Sequence, residues 1–180
     1  MWVEPPHVEA FVAAWVHTVV SCSGVYPAEA FGVARGEFGV HPWGCEPIEQ
    51  YVTSALNPVA PSMRRGALSR VVVVLLGEDG RLVRQHTLAL TVSSRHDPLP
   101  LAQLPALAGL LYEVQKRGEP AGRVVSWELV LEGEGYLNKQ DAGALVNLPD
   151  DPCSTEGAAA PLGTCTWPSG CVSCWLMTPT

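Results

Sequence analysis

Four of the six cysteines lie near the C-terminus, and two of them, Cys171 and Cys174, form a CxxC pair. Paired CxxC knuckles hold structural zinc, and the same spacing serves thiol–disulfide exchange. Cys153 and Cys165 have eleven residues between them and make no second knuckle, and the last histidine, His96, lies far upstream. A zinc- or redox-active protein using these C-terminal cysteines is therefore an alternative reading, and unpaired thiols are the plainer one. The other histidines, His7, His17, His41 and His86, contain no pair at ligand spacing. Cys45 with His41 lacks the local context of a nucleophile and its base. Glu132 and Glu134 fit a solvated turn at a strand end, and nothing resembles the GxxxxGK[ST] phosphate loop. No catalytic constellation emerges, so the expectation is a non-enzymatic chain without metal or cofactor.

The elements that must carry any site follow from patterning. Val8, Phe11, Val12, Trp15, Val16, Val19 and Val20 recur at spacings of three and four, which predicts an amphipathic helix. Phe31 to Trp43, rich in glycine and aromatics, predicts an irregular loop or short edge strand. A second helix is expected from Pro47 to about Asn57, with Ile48, Tyr51, Val52 and Ala55 on one face and Pro58 and Pro61 ending it. Val71 to Leu76 is an unbroken apolar run, which marks a strand covered on both faces. Asp79-Gly80 then turns it into a hairpin whose second strand reaches Val92. A third helix runs through Leu101, Leu104, Leu107, Leu110, Leu111 and Val114 and closes near Gly118. Val124 to Leu131 alternates as a strand, with Trp127, Leu129 and Leu131 on one face. The fold class is α+β, with three helices packed on a mainly antiparallel sheet with a central hairpin.

Composition excludes several classes. Hydrophobic residues make up 47% and charged residues 16%, which suits a folded body rather than disorder. A formal charge of −7 disfavours a direct grip on nucleic acid, where clustered Lys and Arg must neutralise phosphates. Met63-Arg64-Arg65, the dense basic spot of the first half, reads as a solvated loop. No apolar run reaches the roughly 20 residues of a membrane helix, and no secretory leader is visible, so an intracellular chain is expected. Past Glu132 the sequence turns Gly-, Ala-, Pro-, Ser- and Cys-rich with little periodicity. The expected organisation is a domain over residues 1–148 and a divergent, disordered tail over 149–180.

Three segments in this order, VEAFVAAWVHTVVSCSGVYPAEAF, PIEQYVTSALNPVAP and LSRVVVVLLGEDGRLVRQHTLAL, resemble the HORMA domain family. The likeness covers about Val8 to Leu131. It is closest to the branch that serves translesion DNA polymerase zeta as an accessory subunit, the B-type paralogue of the mitotic spindle checkpoint protein. The resemblance implies a HORMA-like domain and a non-catalytic adaptor in DNA-damage tolerance and repair, located in the nucleus, with the cytoplasm as a second location. Such an adaptor captures a proline-containing partner peptide as an added β-strand under a C-terminal "safety belt". The implied partners are a peptide of the polymerase zeta catalytic subunit, the deoxycytidyl transferase of translesion synthesis and an AAA+ remodelling ATPase. The implied peptide-binding residues are Tyr51, Trp127 and Leu129. A spindle-checkpoint or chromosome-axis adaptor is the alternative within the family. Two features depart from its pattern. Gly109 stands where the family places a self-association arginine, and the residues from Gly135 onward match no belt, with Trp167 or Trp175 as stand-ins for a belt tryptophan.

Overall fold

The computed structural model describes residues 8–92, 99–117, 120, 122–133, 136–137, 158–168 and 170–178. In chain order the elements are α1 (Val8–Ser21), β1 (Phe31–Gly36), β2 (Gly39–Gly44), α2 (Glu46–Leu56) and the short α3 (Ala60–Arg64). They continue with β3 (Leu68–Leu76), β4 (Leu82–Val92), α4 (Leu104–Lys116), β5 (Ser126–Gly133), β6 (Tyr136–Leu137), β7 (Ala158–Trp167) and β8 (Gly170–Thr178). β1 and β2 form a two-stranded ribbon, and the remaining strands form one antiparallel sheet in the order β6-β5-β3-β4-β8-β7.

β3 is apolar without alternation because it is buried on both sides. Val71, Val73 and Leu75 join the main core under the helices, while Val72, Val74 and Leu76 form a second cluster with Leu82 and Val130 on the opposite face. All six are at most 7% exposed, as the unbroken run required. The expected hairpin is present: Gly80 takes a φ of 72°, and the Gly77 N–H donates to the Arg81 carbonyl across the turn.

α1 is the central helix of the main core. Phe11, Val12, Trp15, Val16, Val19 and Val20 are all fully buried, each removing an apolar side chain from water for about 1.5–3 kcal/mol. α2 buries a narrower stripe, Ile48, Val52 and Leu56, and α4 buries Leu107, Leu110, Leu111 and Val114.

Four expectations are corrected. Phe31 to Trp43 is a regular antiparallel ribbon, paired from Phe31↔Gly44 to Gly36↔Gly39. Pro58 and Pro61 end α2 without ending helical structure. Each sits in a first turn, where a missing N–H costs nothing, so a 3-10 turn and α3 follow. The Met63-Arg64-Arg65 spot is no solvated loop: Met63 is fully buried, and Arg64 pairs with Glu9 of α1. The largest correction concerns the expected disordered tail. Residues 158–178 form the β7–β8 hairpin, and β8 pairs with β4 from Gln85↔Met177 to Val92↔Gly170. Val172, Cys174 and Leu176 enter the main core with Leu162, Cys165 and Trp167. The domain therefore does not end at 148. The chain leaves the sheet at one outer strand, β6, and re-enters it at the opposite end.

Candidate functional site

β5 is held on one side by β3 over Ser126–Gly133, whereas on its other side, among the described residues, only Glu132 and Gly133 are paired, to β6. Among the described residues the outer edge of Ser126–Leu131 carries no strand, so its outward-turned N–H and C=O groups are open to pairing. Against this edge lies a groove of about 660 Å3 between the turn after α1, the N-terminal half of α2 and the start of β5. Tyr26, Pro47, Ile48, Tyr51, Val125 and Trp127 form most of its wall, and among the described residues no charged side chain lines it.

Local structure explains why aromatic rings face outward here. On α2 the buried stripe Ile48–Val52–Leu56 leaves Tyr51 on the flank, 49% exposed. On β5 alternation turns Trp127, Leu129 and Leu131 toward the helices, and Trp127 lies at the strand's start, where the helical cover thins. The Tyr51 and Trp127 rings meet edge to face at 5.0 Å, and the Trp127 indole N–H donates to the Tyr26 hydroxyl at 3.3 Å. The result is a preset apolar slot beside an open strand edge, a geometry that suits a proline or aliphatic side chain entering as part of an added strand.

The structure thus brings Tyr51 and Trp127 together. Leu129, from the same face of β5, is 8% exposed and packs in the main core rather than in the groove wall. Tyr26 is a wall residue and the acceptor for Trp127. Its only sequence signal was an aromatic beside Pro27 at a turn. Of the stretch from Gly135 onward in which a belt was sought, residues 138–157, Cys153 among them, lie outside the described residues, while β7 and β8 are described. Trp167, one belt stand-in, is 8% exposed in the core, and Trp175 lies on the opposite face of β8.

A second polar cluster sits under the β1–β2 ribbon. His17 of α1 is 1% exposed, stacks on Trp43 at 4.0 Å, and accepts the Gly44 N–H at Nδ1 over 3.1 Å. Burial pushes its pKa down to about 4, with His41 adding to the shift. His41 is itself held low by burial, against a backbone hydrogen bond at Gly39 that opposes it. Both rings are neutral wedges in the α1–β2 contact. Burial likewise pushes His86 of β4 down to about 3, with the Arg84 charge in the same direction.

The cysteine pair does not converge. On a strand, residues three apart face opposite sides, so Cys174 enters the main core while Cys171 does not. Burial pushes the Cys174 thiol far up and the Cys165 thiol up as well. Among the described residues no three metal-ligating side chains converge.

No family model matches the chain, and no curated protein matches it. Solved structures do. A chain of the mitotic checkpoint complex crystal structure superposes with a TM-score of 0.74 at 12% identity, covering 96% of this chain and 97% of that one. Caenorhabditis elegans HTP-2 bound to a HIM-3 closure motif gives 0.67 at 11% identity over 94% and 87% of the two chains. C. elegans HTP-1 bound to the same closure motif gives 0.62 at 11% identity, again over 94% and 87%. These neighbours are HORMA-domain proteins, and the likeness establishes the HORMA fold for this chain.

Proposed function

We propose that this HORMA-fold chain is a non-catalytic adaptor that captures a proline-containing peptide of a partner protein as an added strand on β5. The observation that carries the reading is the open outer edge of Ser126–Leu131 beside the uncharged aromatic groove of Tyr26, Tyr51 and Trp127. Backbone hydrogen bonds along the edge supply the grip, and the slot selects the apolar side chain. HORMA neighbours solved with closure motifs in place support peptide capture as the mode.

For the partner, the VYP turn, the second-helix tyrosine and the valine-rich hairpin favour the catalytic subunit of translesion polymerase zeta. On that reading the chain works in the nucleus in DNA-damage tolerance, beside the deoxycytidyl transferase and an AAA+ remodeller. The second reading, a spindle-checkpoint or chromosome-axis adaptor, is favoured by which structures superpose on the chain. Calorimetry with the proline-containing segment of the polymerase catalytic subunit and with a checkpoint or axis closure motif separates the two. Tight binding of the first peptide alone supports the polymerase branch, and preference for a closure motif moves the chain to the other. If neither binds the full chain, the capture reading fails.

A further inference from the structure

The outward-facing side of β5 carries a charge that the domain leaves unanswered. Alternation places Ser126, Glu128, Val130 and Glu132 on the face opposite the helices, and β3 sets Leu76, Val74, Val72 and Arg70 directly across from them. Glu132 is neutralised by the residue opposite, with Arg70 Nη1 at 3.5 Å from its carboxylate. Glu128 is set across from Val74, which offers it nothing, and among the described residues it forms neither hydrogen bond nor ion pair. Its same-face neighbours along the strand, Ser126 and Val130, carry no charge. On its remaining side lies the edge that carries no strand among the described residues. A carboxylate at such a position costs desolvation if an added strand covers it with an apolar residue, and gains if the added strand brings a cation.

We propose that Glu128 is a specificity-determining residue, selecting a Lys or Arg in the captured peptide at the position directly across from it. The inference rests on the strand-capture reading above and adds a sequence rule to it. Because sides alternate, the two peptide residues flanking the basic one lie across from Trp127 and Leu129, on the helix-facing side of the sheet. The preferred ligand therefore carries a basic residue between two apolar residues or prolines, a pattern of period two. The arrangement also acts against wrong ligands. An Asp or Glu at the selected position meets Glu128 as a like charge directly opposite, which is destabilising in any paired strand.

The test uses the full chain and the proline-containing segment of the polymerase catalytic subunit, synthesised with Lys, Gln or Glu at each interior position in turn and titrated by fluorescence anisotropy. At one position only, the Lys peptide is expected to bind about fivefold tighter than the Gln peptide, and the Glu peptide weaker still, with the spread shrinking at high salt. Glu128→Gln is expected to flatten that position to within about twofold, and Glu128→Lys to invert it so that the Glu peptide leads. Both substitutions are on an accessible strand edge, and unchanged thermal unfolding of the free proteins confirms that they act on binding. Peptides that bind wild type equally well whatever charge they carry overturn the Glu128 proposal and leave strand capture standing. A charge preference that persists unchanged in Glu128→Lys overturns it too, by assigning the preference to another group. Peptides that do not bind at all overturn capture and the charge rule together.

Discussion

Tyr51 and Trp127 shape the groove wall together, because each is fixed by its own element and each ring buttresses the other. Truncating such an aromatic anchor removes both contact area and the preset shape, so Tyr51→Ala or Trp127→Ala is expected to weaken peptide binding by about 30-fold or more, with unfolding little changed for Tyr51→Ala. An affinity within twofold of wild type for both variants would show that the peptide is held elsewhere. The buried imidazoles make a separate prediction about acid. His17 and His86 have folded pKa values of about 4 and about 3, below the usual 6.5, so the unfolded chain takes up protons first as pH falls. The stability they contribute is complete above pH 6.5 and is lost progressively as pH drops from there through about 4 for His17 and about 3 for His86. For His17 the gap is worth roughly 3 kcal/mol. Urea unfolding at pH 7.5 and 4.5 is expected to show the loss, and His17→Gln to flatten part of it; a midpoint independent of pH between these values contradicts the assignment. Thiol chemistry reads out the same burial logic. In the native protein, exposed Cys45 is expected to react with a disulfide reagent promptly, while Cys165 and Cys174 react only on unfolding.

The β7–β8 hairpin decides whether the sheet is complete at the element scale. Without it the edge of β4 is bare and the core loses Trp167, Val172 and Leu176. A chain ending after Leu148 is accordingly expected to be strongly destabilised or insoluble, which soluble yield and hydrogen exchange of β4 amides measure. Native-like exchange in the truncated chain would mean that the hairpin only decorates the domain. The turn into β3 is equally exacting. Gly66 has a φ of +71°, and a Cβ there would lie 2.0 Å from the Val92 carbonyl oxygen. Gly66→Ala is expected to cost at least about 2 kcal/mol, combining backbone strain with forced separation of the turn from β4. A chemical-denaturation midpoint equal to wild type would contradict that geometry.

At the scale of the molecule, the aromatic groove lies beside the outer edge of β5 and not beside β7, the outer strand at the other end of the sheet, so a single bound strand is the expected stoichiometry. Peptide binding is expected to saturate at one per chain and to raise the unfolding temperature in step with ligand excess. Duplex DNA is expected to do neither, given the charge of −7. How much of this was legible beforehand depends on where the physical signal resides. α1, α2, α4 and the β3–β4 hairpin were readable because their periodicity is local: Phe11 to Val20 repeats at helical spacing, and Val71 to Leu76 has no polar face to spare. Tyr51 and Trp127 were reachable through the family resemblance, while Tyr26 and Glu128 were not, since neither their types nor their spacing mark them. The β7–β8 hairpin was missed because AAAPLGTCTW and GCVSCWLMT are weak strands by propensity, and small residues, a proline and glycines imitate a linker. Their pairing to β4 is a long-range contact that no local pattern encodes. By itself, then, the sequence determined the helices and the doubly covered central strand, which follow from residue type and short-range spacing. Only the tertiary structure decided which strand edge stays open, which rings meet beside it, and that Glu128, unlike Glu132, has no cation across from it, because strand order and register join residues far apart in the chain.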